Sequence, residues 1–118
     1  REELIVGDLP QFTALSIVWH DDVELARQAI GAAIERVQGS TGTLILTDMF
    51  GGTPANLGVT FLEQGRVEII TGVNLPMLIK LARDPQVADL TDIAREMRDH
   101  GRSAMWVASD LISVKTED

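Results

Sequence analysis

The chain contains no cysteine, few aromatic residues (4%), and far fewer cations than anions, with 10 Lys and Arg against 18 Asp and Glu. Without cysteine there is no disulfide framework, no thiolate nucleophile and no cysteine metal site, a composition that fits a reducing compartment. Scarce aromatics remove the stacking platforms that single-stranded nucleic acid needs. The net charge of −8 repels phosphate backbones, so no nucleic acid partner is expected, whereas a protein with a basic docking patch would be attracted. No apolar run approaches the roughly 18 to 20 residues that span a bilayer, and no signal peptide opens the sequence. A cytoplasmic location is expected, with any membrane connection made through a partner. His20 and His100 are the only histidines and lack metal-ligand spacing, so neither a metal nor a cofactor is expected.

What is present reads as one α/β domain, since 118 residues hold one core and not two. Residues 11–19 carry Phe12, Leu15, Ile17, Val18 and Trp19 and predict a buried strand. Asp22 is a good N-cap, and Val23, Ala26, Ile30, Ala33, Ile34 and Val37 recur at helical spacing behind it. Residues 43–47 are almost continuously apolar, as in a strand covered on both faces, and residues 67–71 predict another strand. Helices are expected near residues 54–62, 76–83 and 87–99, the last stopped by Gly101. Residues 103–108, with Met105, Trp106 and Val107, predict a final strand, and residues 109–118 a loose tail. The alternation of strand and helix with short connections predicts a parallel sheet with helices on both faces. Ligands of such sheets bind beyond the carboxyl ends of the strands, which gathers three loops: His20-Asp21-Asp22, residues 48–53, and residues 72–75.

The most informative stretch is Thr47-Asp48-Met49-Phe50-Gly51-Gly52-Thr53-Pro54. Gly51 and Gly52 permit a sharp turn with bare N–H groups, Thr53 can cap the next helix, and Pro54 suits its first position, where no N–H is needed. An anion placed there meets unpaired donors and the positive end of the helix dipole, an arrangement suited to a phosphoryl group. Asp48 follows a buried strand, where a carboxylate is costly unless solvated or paired. It can accept from one nitrogen of a histidine and leave the other free to attack phosphorus, or it can simply satisfy a local Asx turn. Phe50 can shield the site or merely pack. His20 can act beside the loops or be a surface residue near Asp21 and Asp22. Asn74 in Gly72-Val73-Asn74-Leu75-Pro76 can neighbour the site or only bond backbone.

Residues 47–56 together with Gly72-Val73-Asn74-Leu75-Pro76-Met77-Leu78 closely resemble the enzyme IIA component of the mannose family of the bacterial sugar phosphotransferase system. The resemblance implies a phosphoryl carrier that accepts a phosphoryl group from HPr on a histidine. It then passes the group to a IIB domain, and so indirectly to a sugar permease in the membrane. It assigns Asp48 to hold the histidine's other nitrogen, and Phe50, Gly51, Gly52 and Thr53 to form the phosphoryl pocket. It also implies strand order 2-1-3-4 and a homodimer that exchanges a C-terminal antiparallel strand, here residues 103–108, with residues 1–108 as the IIA domain.

The family's histidine lies in a Thr-His-Gly-like motif after the first strand, and no such motif follows a strand in this sequence. Glu2-Glu3-Leu4-Ile5-Val6-Gly7 reads as the end of a helix, so a preceding strand, loop and most of a helix are expected in the full protein. His20 follows a different strand and is not that nucleophile. Two other readings compete: a receiver-like signalling domain phosphorylated on Asp48 itself, and a regulatory binding module without transfer chemistry.

Overall fold

A computed structural model describes residues 11–17, 22–37, 39, 41–49, 53–83 and 88–116. Its helix α1, Val23–Val37, starts where the sequence places it. The Asp22 carboxylate accepts from the N–H groups of Glu24 at 2.9 Å and Leu25 at 3.0 Å, which satisfies donors that have no partner inside the first turn. Ala26, Ile30, Ala33 and Ile34 form its buried face, whereas Val23 is exposed.

Strands β1, Thr43–Thr47, and β2, Val67–Thr71, pair in parallel, with Thr43 opposite Val67 and Thr47 opposite Thr71. Between them lies α2, Thr53–Val59; α3, Leu75–Arg83, and α4, Leu90–Ser103, follow. Successive side chains of a strand point to opposite faces, and the two apolar clusters divide accordingly. Ile45 and Val67 pack with Ala26, Ile30, Ile34 and Leu57 on the α1 and α2 side. Leu44, Leu46 and Ile70 pack with Met77, Ile93, Ala94 and Met97 on the α3 and α4 side. The sheet is therefore apolar on both faces, the property that made residues 43–47 read as a continuous apolar run. Because both strands run the same way, the loops that follow them open on one edge of the molecule.

Several expectations need correction. Residues 11–17 are not a strand, and Gln11, Thr13 and Leu15 are exposed. A pocket of about 520 Å³ is lined by Phe12, Leu15 and Ile17 together with Leu44, Ile45 and Leu46 of β1. β propensity is realised only against a neighbouring strand, and none of the described residues supplies one. Residues 18–20 lie outside the described residues.

At the other end, α4 runs through Gly101 to Ser103, capped at its start by Asp89, whose side chain accepts from the Asp92 N–H at 2.9 Å. Residues 103–108 form no strand. Ser103 closes α4, Ala104 keeps a helical turn, and Met105, Trp106 and Val107 form an exposed connection. Helix α5, Ala108–Thr116, then replaces the irregular conformation expected after residue 108. Here too the β-forming side chains meet no strand to pair with, and local helical bonds such as Asp110 N–H to the Val107 carbonyl, 2.9 Å, prevail. No described helix is long and apolar enough to cross a membrane.

Candidate functional site

The site is built from the two loops that leave the carboxyl ends of β1 and β2. Thr47, the last residue of β1, is buried, and its carbonyl accepts two hydrogen bonds from the β2 loop, from Gly72 N–H at 2.9 Å and Val73 N–H at 3.0 Å. Parallel pairing brings Thr71 opposite Thr47, so these donors arrive one and two residues later without a detour. Asp48 comes immediately after this doubly held carbonyl and is exposed, which answers the desolvation cost of placing a carboxylate at the end of a core strand.

Asn74 closes the other side of the same loop. Its Oδ1 accepts from the Met77 N–H at 3.2 Å and so caps α3, while its Nδ2 donates to the Gly101 carbonyl of α4 at 2.9 Å. Both ends of the amide are therefore engaged with backbone, and Asn74 stands on the loop that grips the end of β1. Phe50, Gly51, Gly52 and His20 lie outside the described residues, and of Thr53 the structure gives only that it begins α2. The end of β1 at Thr47 and the start of α2 at Thr53 bound the Gly51-Gly52 stretch of sequence on either side. His100 is half-buried in the last turn of α4, where a cation suits the helix dipole. Among the described residues no group of three or more His, Cys, Asp or Glu could hold a metal ion.

Two contributions escaped the sequence reading. The Thr47 carbonyl as a double acceptor leaves no trace in residue type. Gly101 left a faint one: a glycine inside a helix whose apolar pattern continues toward it signals close approach as well as termination.

Comparison with known proteins now bears on this geometry. The model of the EIIA-man family, described as PTS system fructose IIA component, matches residues 2–97. The chain belongs to that family. It is 26% identical over 115 residues to the fructose-specific EIIA component of the phosphotransferase system of Bacillus subtilis strain 168, covering 96% of this chain and 79% of that protein. To the sorbose-specific EIIA component of Lacticaseibacillus casei it is 34% identical over 82 residues, covering 68% of this chain and 58% of the relative. Among solved structures, the mannose/sorbose specific IIA subunit from Enterococcus faecalis superposes with a TM-score of 0.75 at 27% identity, covering 89% of this chain and 79% of that one. Family membership supports a phosphoryl carrier and a transferase role, and lends nothing to the receiver-like or purely regulatory readings.

Proposed function

We propose that this chain is the IIA phosphoryl carrier of a bacterial sugar phosphotransferase system, taking a phosphoryl group from phosphorylated HPr onto a histidine and handing it to a IIB domain. The observation that carries the reading is the joint at the end of β1. An exposed carboxylate follows a strand end fixed by two N–H donors, and a helix starts five residues later at Thr53, with Gly51 and Gly52 in the sequence between. A rigid strand end holds Asp48 at a constant place, so that its carboxylate can orient an imidazole N–H while the opposite nitrogen accepts phosphorus. The family resemblance assigns the phosphoryl pocket to Phe50, Gly51, Gly52 and Thr53, and backbone N–H donors there would stabilise the charge on the moving group. The donor already carries an activated phosphoryl group, so the transfer calls for no metal. The histidine is that of the family's Thr-His-Gly-like motif, which these 118 residues do not contain.

The location is cytoplasmic, with the membrane permease reached only through IIB. Residues 1–108 are assigned to the IIA domain, whose sheet order is 2-1-3-4 in the full protein. Its homodimer is supported by the exposed apolar run Met105, Trp106 and Val107, and by β2, a strand that pairs along its length with β1 alone among the described residues. Strand exchange would require residues 103–108 to leave the conformation described above.

The test is Asp48→Asn in the full-length protein, which removes charge and retains shape. Transfer from phosphorylated HPr slows by on the order of 10²-fold with the fold intact. Transfer at the wild-type rate would remove Asp48 from the mechanism.

A further inference from the structure

We infer that Asn74 is a positioning residue of the carrier site, tying the loop after β2 to the end of α4 and through that loop holding the strand end that Asp48 follows. The inference rests on the carrier reading for what Asp48 does; the linkage itself stands on geometry.

The connection is short and each link is a hydrogen bond. Gly101 O takes an N–H of the Asn74 amide at 2.9 Å across 27 residues of sequence. The same amide's oxygen fixes Met77 N–H, so Asn74 cannot swing while α3 keeps its first turn. One and two residues before Asn74, the N–H groups of Val73 and Gly72 converge on the Thr47 carbonyl. Asp48 is the next residue, one peptide bond away. A loop held at α4 by one bond and at β1 by two has little freedom to carry Asp48 out of place.

The helix partner is fitted to this task. Gly101 O lies near the end of α4, where carbonyls lack full intrahelical partners; its own local acceptor role, to Ala104 N–H, is stretched to 3.4 Å. A Cβ at Gly101 would lie 3.0 Å from Met77 Cε and 3.2 Å from Asn74 Oδ1. Glycine in a helix costs about 1 kcal/mol relative to alanine, and here it allows α4 to approach close enough for the Asn74 amide to reach its backbone.

Capping and linkage have different chemical requirements, which separates a positioning role from a structural one. The α3 cap needs only an acceptor, which aspartate or serine supplies; the bond to Gly101 O needs a donor as well, and the carboxamide offers both. Asn74→Asp therefore keeps the cap and replaces the donor by an acceptor facing a carbonyl. Gly101→Ala attacks the same link from α4 while raising that helix's own propensity.

The experiment measures amide hydrogen exchange by NMR in the full-length protein and in both variants, alongside kcat and KM for phosphorylated HPr. Asn74→Asp is expected to speed exchange at Gly72 and Val73 about five- to tenfold, the change that one lost hydrogen bond produces, while amides inside α4 hold their protection. Transfer falls in kcat with KM unchanged. Gly101→Ala repeats the pattern at Gly72 and Val73 with α4 protected at least as well as before. Wild-type exchange at Gly72 and Val73 in Asn74→Asp overturns the inference, as does a rise spread equally over α4, which would mark a general loss of stability. If the wild-type protein accepts no phosphoryl group, the carrier reading fails while the exchange data still decide the linkage.

Discussion

Replacing Gly42 by alanine tests how the chain is brought into β1. Gly42 has φ +117°, and a Cβ there would lie 2.7 Å from the Arg66 carbonyl oxygen, 3.2 Å from its carbon and 3.0 Å from Leu90 Cδ2. The Arg66 oxygen accepts the Thr43 N–H at 2.8 Å, the bond that opens the pairing of β1 with β2. Neither backbone atom can move aside as a side-chain tip could. Three costs follow: about 1–3 kcal/mol for alanine in this conformation, about 1 kcal/mol for the strained or lost bond, and roughly 1 kcal/mol for crowding Leu90. The expected destabilisation is about 3–5 kcal/mol, a large share of the roughly 5–15 kcal/mol that holds a small domain together. Gly65→Ala is the control. Gly65 also has a positive φ, +78°, but a Cβ there meets nothing within 4 Å, so only the conformational part remains. That part is about 1–2 kcal/mol. Urea unfolding of both variants, with m unchanged, measures the difference directly. Equal midpoints for the two, or a loss below about 1 kcal/mol for Gly42→Ala, would refute the claim that close approach of the Arg66 carbonyl dictates glycine.

Met97 is 1% exposed in the cluster beneath α4, so Met97→Ala should cost about 2–5 kcal/mol in denaturant unfolding; a loss under about 1 kcal/mol would mean the cluster is loosely packed. Asp89→Ala removes the cap on Asp92 N–H and should cost about 1 kcal/mol, read as faster exchange confined to the first turn of α4. Thr43 Oγ1 is buried with no hydrogen-bond partner among the described residues, so Thr43→Val should be neutral or stabilise by about 1 kcal/mol in thermal unfolding, and clear destabilisation would reveal a partner for that hydroxyl.

Legibility in the sequence followed the range of the forces involved. The amphipathic spacing of Ala26, Ile30 and Ile34 and the Asp22 cap are local, and α1 forms where they place it. Residues 43–47 and 67–71 are apolar on both faces and find helices on both, so strand identity and parallel sense could be read. Residues 11–17 and 103–108 share the same β-forming residue types, yet strands exist only in pairs, and pairing is a tertiary event that composition does not encode. The site was legible as a place more than as contacts. The position of Asp48 at a strand's carboxyl end followed from topology, whereas the grip on Thr47 and the reach of Asn74 to Gly101 depend on backbone atoms brought together from 25 or more residues apart.

The account turns on a phosphoryl group resting on an imidazole held by Asp48. Labelled phosphoenolpyruvate, enzyme I and HPr, incubated with the full-length protein, test this most directly through the stability of the label that the protein acquires. A phosphohistidine, lost in acid and retained in base, is the predicted product, and it should discharge on addition of IIB. A base-labile acyl phosphate on Asp48, or no label on a folded protein, would contradict the account.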